Sequence, residues 1–156
     1  MTSTTSDGLP RVLDDKMCFA LYAASRAVTA LYRPILDEMG LTYPQFLVLL
    51  VLWDGPEEGV AVKELGGALQ LDYGTMTPLL KRLEANGLLR RERRVDDERT
   101  VQITLTEKGA ALRERSDAVF ASVGDAMALE PDEFARTLTT LRRLTANVTA
   151  HADRRG

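Results

Sequence analysis

The stretch "VKELGGALQLDYGTMTPLLKRLEANG", residues 62–87, decides the fold of this 156-residue chain. It contains two segments with the apolar spacing of helices, "VKELGGALQ" and "YGTMTPLLKRLEAN", and only "LD" separates them. Asp72 can accept a hydrogen bond from the first turn of the second segment, and Gly87 can end that segment in a left-handed conformation. We therefore predict two short helices joined by a tight turn, which is a helix-turn-helix.

The residues that follow this motif have the pattern of a β-hairpin. Val101, Ile103 and Leu105 alternate with polar residues, as in a half-buried strand. The segment "LLRRER", residues 88–93, is the predicted partner strand, and "RVDDER", residues 94–99, is the charged turn between them. A hairpin in this position makes the motif a winged helix-turn-helix.

Two predicted helices precede the motif. Residues 13–38 carry apolar side chains at helical spacing, and Asp14 or Asp15 can cap the first turn. The second helix is predicted to start at a capping box formed by Thr42 and Gln45. Its apolar run "FLVLLVLW" has eight residues, far short of the roughly 20 that span a bilayer, so we expect it to be buried centrally.

Two further helices are predicted after the hairpin. Thr106 caps a helix from Glu107 to about Met127, and Pro131, a favoured first-turn residue, begins the last one. Apolar side chains recur along the last helix at nearly heptad spacing, namely Phe134, Leu138, Leu141, Leu144 and Val148. A lone monomer would expose the apolar faces of the terminal helices, so we expect these helices to form a homodimer interface.

The predicted fold class is mainly α with a small β-hairpin wing. We expect a flexible tail at 1–12, a helical dimerisation region at 13–40 and 107–152, and the winged helix-turn-helix at 41–106. The N-terminus lacks the apolar run of a signal peptide and one cysteine cannot form an intrachain disulfide, so we expect a cytoplasmic protein with no membrane contact. The cysteine and the one histidine lie more than 130 positions apart, so no metal and no cofactor are predicted.

The distribution of charge indicates an acidic partner at the motif. The whole chain has a net charge of −3, but residues 73–106 carry seven basic and five acidic side chains, which leaves +2 there and −5 elsewhere. The second helix of a helix-turn-helix enters the major groove of DNA. Double-stranded operator DNA is therefore the expected partner.

The predicted DNA contacts lie on the second helix of the motif and on the wing. The helix contributes its cap and a set of hydroxyl and basic side chains, namely Asp72, Tyr73, Thr75, Thr77, Lys81 and Arg82. The wing contributes Arg93, Arg94, Asp97 and Arg99. Asp97 and Arg99 are two apart and are expected on one face of a strand, where the acid can orient the guanidinium towards a narrow minor groove. A solvated helix face and a solvated charge run are the plainer alternatives that residue types alone leave open.

The sequence from residue 62 to "LTEKG" at 105–109 resembles the winged-helix core of the MarR family of bacterial transcription regulators. The "DDER" wing, followed by a strand and "LTEKG", is the most specific part, and the resemblance covers nearly the whole chain. Within the family, residues 17–53 resemble the organic hydroperoxide resistance regulators. That group shares the proline at Pro78, which otherwise costs a helix up to about 3 kcal/mol.

The single cysteine, Cys18, lies in the opening turn of the first predicted helix. The helix dipole favours an anion there, and peroxides attack a thiolate. Tyr22 follows one turn later and can donate a hydrogen bond to the sulfur. Tyr32 lies ten residues beyond Tyr22, about 15 Å along the helix, so any contact with Cys18 must cross between chains.

Three further aromatic side chains complete the predicted sensor. Tyr43 heads the second helix and can approach the sulfur from another direction. Phe19 and Phe46 add apolar walls, which suit an organic hydroperoxide better than hydrogen peroxide. The resemblance implies that Cys18 is the peroxide-reactive thiol, supported by Tyr32 and Tyr43 of the other subunit. A lone cysteine is more often a small buried apolar side chain, and this reading stays open on the pattern alone.

The sequence therefore predicts a dimeric repressor that binds its operator when reduced and is released when an organic hydroperoxide oxidises Cys18. No second cysteine is present to resolve the sulfenic acid, so a small thiol or overoxidation is expected to follow. Two alternatives remain. One is a MarR-type repressor released by a small phenolic or carboxylate ligand, with Cys18 inert. The other is a thiol peroxidase, although the basic wing argues against an enzyme.

Overall fold

The computed structural model describes residues 11–156, which form helices around one small sheet. The helices are α1 (Met17–Asp37), α2 (Tyr43–Asp54), α3 (Val62–Leu69), α4 (Tyr73–Ala85), α5 (Glu107–Ala111), α6 (Ser116–Met127) and α7 (Pro131–Asp153). The strands are β1 (Val60–Ala61), β2 (Leu89–Arg93) and β3 (Val101–Leu105). The predicted fold class, mainly α with a hairpin wing, is confirmed. Most of the predicted tail, residues 1–10, lies outside the described residues.

The sheet has one strand more than predicted. Its order is β1-β3-β2 and both pairings are antiparallel, with Arg91 opposite Ile103 in the wing. The additional strand, β1, pairs Val60 with the same Ile103 from the other side. Two residues are too short to show the alternation that identifies a strand in sequence. The strand β3 therefore lies in the middle of the sheet, and β1 and β2 form its two edges.

The first helix begins later than predicted. α1 starts at Met17 rather than at residue 13, and its N-cap is Lys16, which makes no side-chain cap hydrogen bond. The prediction that Asp14 or Asp15 caps the helix is wrong. The preceding residues form their own turn, in which the Lys16 N–H donates to the Leu13 carbonyl at 3.1 Å. Cys18 is consequently the second residue of α1.

The predicted helix from Glu107 to Met127 is divided into three parts. α5 ends at Ala111, residues 112–115 form a 3-10 turn, and α6 begins at Ser116. The buried Ser116 hydroxyl donates to the Arg113 carbonyl at 2.7 Å, a local bond that competes with the regular helical pattern. Arg113 also donates to the Trp53 carbonyl and to Asp54, which ties this tighter turn to the end of α2.

The core forms around α2, as its apolar run predicts. Phe46, Val48 and Leu49 have no exposed surface. The predicted capping box is confirmed, because Thr42 Oγ1 accepts from the Gln45 N–H at 3.4 Å and Gln45 Oε1 accepts from the Thr42 N–H at 3.0 Å. No helix among the described residues is long and apolar enough to cross a membrane.

The chain divides into two compact units, one up to Val119 and one from Phe120 to Gly156. The second unit contains most of α6 and the whole of α7, and no residue of α7 is buried. The heptad-spaced side chains of α7 remain substantially exposed, with Phe134 at 45%, Leu138 at 37% and Leu141 at 40%. The dimerisation role predicted for these helices stays a prediction.

Candidate functional site

The start of α4 is capped by Asp72 as predicted, and the predicted contact of Asp72 with DNA stays a prediction. Its Oδ1 accepts the Thr75 N–H at 2.7 Å, and the hydrogen bonds from Thr75 lower the pKa of this carboxyl. Asp72 therefore stabilises the first turn of the helix. Tyr73, with 69% of its surface exposed, and Thr75, also exposed, lie on that same turn and are free to meet a partner.

The middle of α4 accommodates Pro78 without interruption. The helix runs from Tyr73 to Ala85 through the proline. Beside it, the Thr77 hydroxyl donates to the Tyr73 carbonyl at 3.0 Å. A threonine bonded back to its own helix in this way bends the helix slightly, which is one route to tolerating a proline. The Thr77 hydroxyl is therefore bonded to the backbone of its own helix, and its predicted contact with DNA stays a prediction.

The last predicted DNA contacts on α4 are basic. Lys81 and Arg82 are both exposed, one and two residues after a fully buried Leu80. The helix thus buries one face through Met76, Leu80 and Leu83 and presents its basic side chains on another. This arrangement is the one that the period of α4 predicts.

The wing turn is built differently from the prediction. Asp97 and Arg99 lie in the turn between β2 and β3, not on one face of a strand, because β3 begins at Val101. The Asp97 carboxylate accepts the Arg99 N–H at 3.1 Å and the Thr100 hydroxyl at 2.9 Å. Asp97 therefore orients the backbone of Arg99, as an acid commonly does in a turn, and not its guanidinium.

Two other wing arginines are bonded to residues of the turn. Arg94 forms a bidentate pair with Asp96, at 2.9 and 2.6 Å, which lowers the pKa of Asp96. Arg93 donates to the Glu98 carbonyl at 2.8 Å. Arg99 makes no ion pair with any residue in the described part of the chain. Of the predicted wing contacts, Arg99 is thus the guanidinium most available to a partner.

A pair that the sequence analysis missed joins α4 to the wing. Glu84 accepts the Arg91 N–H at 2.9 Å, and its other oxygen accepts Arg91 Nε at 3.1 Å and Nη2 at 2.9 Å. These bonds lower the pKa of Glu84. The two residues lie seven apart, one on a helix and one on a strand, so neither periodicity identifies the pair.

The N-terminal half of α1 presents Cys18 to solvent. The cysteine is exposed, and its neighbour Phe19 is 41% exposed. Tyr22, one turn further, is 59% exposed, and the Arg26 guanidinium lies over its ring at 5.6 Å from the centroid. The predicted roles of Tyr22 as a hydrogen-bond donor to the sulfur and of Phe19 as a wall of the peroxide pocket stay predictions.

Tyr32 and Tyr43 form a second aromatic cluster. Their ring centroids are 4.6 Å apart, and Tyr32 is 6% exposed. Burial raises the pKa of both phenols, and for Tyr32 the neighbouring Tyr43 raises it further. Both phenols therefore keep their protons at neutral pH and can act as hydrogen-bond donors.

Phe46 lies behind this cluster and not at its surface. Its ring is 6.0 Å from Tyr32 on one side and 6.0 Å from Trp53 on the other, and it is fully buried. The side chain belongs to the core that supports Tyr32, and its predicted role as an apolar wall of the peroxide pocket stays a prediction. Phe46 is the first residue of the apolar run "FLVLLVLW" that forms most of α2.

The chain does not bring Cys18 to the tyrosine pair within one protomer. Cys18 and Tyr32 are 14 residues apart on α1, about 21 Å at ~1.5 Å per residue. A cleft of ≈ 210 Å³ lies beside Tyr43, where Arg33 and Asp37 of α1 face the start of α2. Its other lining residues are Thr29, Leu36, Leu41, Thr42 and Pro44.

Comparison with known proteins gives the family. Residues 30–115 match the family described as Transcriptional regulator SarA/Rot. The chain is 47% identical over 152 residues to the HTH-type transcriptional regulator TtmR of Methylorubrum extorquens (strain PA1), which covers 97% of this chain and 76% of that protein. It is 51% identical over 104 residues to the Organic hydroperoxide resistance transcriptional regulator of Bacillus subtilis (strain 168), covering 67% and 69%.

Solved structures agree with these relatives. Reduced AbfR bound to DNA superposes with a TM-score of 0.70 at 35% identity, covering 88% of this chain and 94% of that one. Overoxidized AbfR bound to DNA gives the same score and identity, covering 87% and 94%. The structure of AbfR of Staphylococcus epidermidis is also similar, with a TM-score of 0.68. The exposed face of α4 and the turn at Arg99 thus lie on a fold that is seen bound to DNA in a relative. The chain belongs to the SarA/Rot family of MarR-like winged-helix transcriptional regulators.

Proposed function

We propose that this regulator is a redox-sensing repressor, which binds operator DNA as a reduced dimer and leaves it when an organic hydroperoxide oxidises Cys18. The observation that carries the proposal is the place of the single cysteine, which is exposed in the first turn of α1. It supports the proposal because the chain is 51% identical over 104 residues to a regulator named for organic hydroperoxide resistance. The controlled gene is then one that detoxifies such peroxides.

A second copy of the chain is needed to complete the sensor. Cys18 and the Tyr32–Tyr43 pair are separated along α1, so the protonated phenols can reach a sulfur only from another chain. The exposed Phe134, Leu138 and Leu141 of α7 favour such a dimer, since a monomer leaves these side chains in water. In this arrangement the sensor lies within the dimer interface.

The reduced dimer presents two copies of α4 to the DNA. In helix-turn-helix dimers the two recognition helices enter successive major grooves about 10 base pairs apart. Tyr73 and Thr75 lie at the end of α4 that approaches base edges, and Lys81 and Arg82 further along can meet phosphates. Arg99 on each wing then reaches the adjacent minor groove, whose negative potential attracts a guanidinium.

Oxidation is a two-electron reaction at Cys18. The thiolate attacks the terminal oxygen of ROOH, the O–O bond breaks, and the departing alkoxide takes a proton and leaves as the alcohol ROH. The sulfur becomes sulfenic acid, which a small cellular thiol converts to a mixed disulfide with release of water. Either product adds polar bulk between the subunits. The spacing of the two copies of α4 changes and the operator is released, which is a population shift caused by a local covalent change.

Peroxide titration with paired variants tests the proposal. Cys18→Ser is expected to bind a duplex of its own promoter region with unchanged affinity and to stay bound after stoichiometric cumene hydroperoxide. Met17→Leu is the matched control, because Met17 is 64% exposed and is also oxidisable. This variant is expected to dissociate as the native protein does, with a gain of one oxygen or one thiol by intact mass. Release of Cys18→Ser by peroxide would contradict the proposal.

A small carboxylate inducer is the second candidate, and the cleft beside Tyr43 favours it. Arg33 lines that cleft and makes no ion pair with any residue between 11 and 156, so it can receive a carboxylate. Under this alternative Cys18 has no role. Release of both native protein and Cys18→Ser by benzoate-like acids, with no peroxide present, supports this candidate over the first.

A further inference from the structure

The end of α4 is fastened to the wing by Glu84. This residue lies one position before the last residue of α4, and Arg91 lies at the centre of β2. The Glu84 carboxylate accepts three hydrogen bonds from Arg91, one from the backbone N–H at 2.9 Å and two from the guanidinium at 3.1 and 2.9 Å. The two guanidinium bonds end on Oε1 and the backbone bond ends on Oε2, so both oxygens of the charged carboxylate take part. Backbone and side chain of the strand are therefore both held by the helix.

The other bonds of the wing lie within its turn, at the base of the sheet, or on the β1 side, where Gln102 Nε2 donates to the Glu58 carbonyl at 3.3 Å. The pairs Arg94–Asp96 and Asp97–Thr100 lie within the turn and hold its shape. At the base of the sheet, the Thr106 hydroxyl donates to the Gly87 carbonyl at 2.6 Å, beside the end of the helix. Because β2 is an edge strand, nothing in the sheet supports its outer side. Glu84 occupies that side at Arg91, half-way along the strand.

We propose that Glu84 is a positioning residue for DNA binding, which sets the angle of the wing to α4 so that both reach the DNA together. The inference rests on the proposed contact of Arg99 with the minor groove. Glu84 is not assigned a contact with DNA itself. Both oxygens of its carboxylate accept hydrogen bonds from Arg91, and an unpaired carboxylate near DNA would be repelled by the phosphates.

The direction in which Glu84→Ala changes the DNA affinity distinguishes this proposal from a purely electrostatic effect. Removing an acid near DNA favours binding if charge is the only effect. We expect the opposite for Glu84→Ala, a weakening on the order of fivefold or more for the promoter duplex. The control is Glu92→Ala, which removes an exposed acid from the next residue of β2 and is expected to bind as tightly as the native protein or slightly more tightly. If Glu84→Ala also binds as tightly or more tightly, the proposal is wrong.

A double-mutant cycle with Arg99→Ala tests whether Glu84 acts through the wing. Arg99→Ala alone is expected to weaken binding, because the minor groove loses a guanidinium that its negative potential attracts. In a Glu84→Ala background the same change is expected to cost much less, because a misdirected wing has already lost the contact. Additive losses overturn the positioning role and leave the proposed function intact. If Arg99→Ala alone has no effect, the wing contact in the proposed function fails instead.

A charge-reversed variant distinguishes loss of the Glu84–Arg91 pair from loss of folding. The variant with Glu84→Arg and Arg91→Glu restores an opposite-charge pair at the same two positions. We expect it to recover most of the DNA affinity lost in Glu84→Ala, while thermal unfolding confirms that all variants are folded at the assay temperature. Failure of the reversed pair to recover any affinity, with folding intact, counts against the proposal.

Discussion

Gly109→Ala is expected to be among the most damaging single substitutions in the chain. Gly109 is buried in α5, directly after the wing, and a Cβ at this position would lie 2.0 Å from the Leu88 carbonyl oxygen and 3.0 Å from its carbon. These are backbone atoms, so no side-chain rotation relieves the contact. An ordinary contact begins near 3.4 Å, which requires α5 to move away from Leu88 by about 1.4 Å.

The cost follows from what that movement breaks. The Trp53 indole N–H donates to the Gly109 carbonyl at 2.9 Å in a buried position, and the Thr106 N–H donates to the Leu88 carbonyl at 3.1 Å. Losing each bond costs about 1 kcal/mol. Overpacking in a buried site adds about 1–3 kcal/mol. We therefore expect a loss of about 3–5 kcal/mol in the free energy of unfolding, a large part of the ~5–15 kcal/mol of a typical domain.

Urea unfolding followed by circular dichroism measures this loss, at one fixed protomer concentration because dimerisation shifts the apparent stability. Gly67→Ala is the matched control, since a Cβ there meets nothing within 4 Å and the residue is exposed in α3. Alanine is the better helix former, so this control is expected to gain about 0.5–1 kcal/mol. If Gly109→Ala loses less than about 1 kcal/mol, the close approach of α5 to Leu88 is not as described.

Three further predictions concern pH and the wing. Burial raises the pKa of Tyr32 and Tyr43 above the usual 10.0. The contribution of these phenols to stability is therefore complete below pH ~10 and is lost as the pH rises through their folded-state pKa. Tyr32→Phe and Tyr43→Phe are each expected to remove part of the tyrosinate absorbance that appears at the highest pH. Arg91 lowers the pKa of Glu84 below the usual 4.5. The stabilisation from this pair is therefore present above pH ~4.5 and is lost as the pH falls through the lowered pKa of Glu84. The stability of Glu84→Gln is expected to fall less steeply with decreasing pH than that of the native protein. Asp97→Ala is expected to weaken DNA binding because the turn holding Arg99 loses two bonds, and anisotropy titration showing native affinity would contradict this role.

The local signals in the sequence were sufficient for most helix boundaries. The Thr42–Gln45 capping box, the Asp72 cap and the left-handed Gly87 are each determined by side chains within three or four residues. The start of α1 differs from the prediction because Asp14 and Asp15 were both available as caps, and neither makes the cap bond. Residues 13–16 form a short turn in place of a first helical turn, and composition does not indicate which of the two forms.

The wing shows why site residues are harder to predict than elements. The sequence indicates a charged hairpin turn, but not which of its acids pairs with which arginine. Asp96 pairs with the Arg94 guanidinium, whereas Asp97 accepts a hydrogen bond from the Arg99 backbone N–H. The geometry of the turn, and not the separation in sequence, brings these groups together. The same holds for Phe46, whose apolar character is equally consistent with a pocket wall and with the core that it occupies.

Periodicity and neighbours along the chain were enough to predict the helix-turn-helix, its hairpin, the flanking helices and a single cysteine in the opening turn of the first helix. The remaining features depend on how these elements pack. Tertiary structure placed β1 beside β3, Glu84 on Arg91, and the Gly109 backbone against Leu88. It also brought Tyr32 onto Tyr43 while leaving Cys18 far along the same helix. Such contacts join residues that are distant in sequence, and their geometry is set by how whole elements pack, which no local pattern encodes.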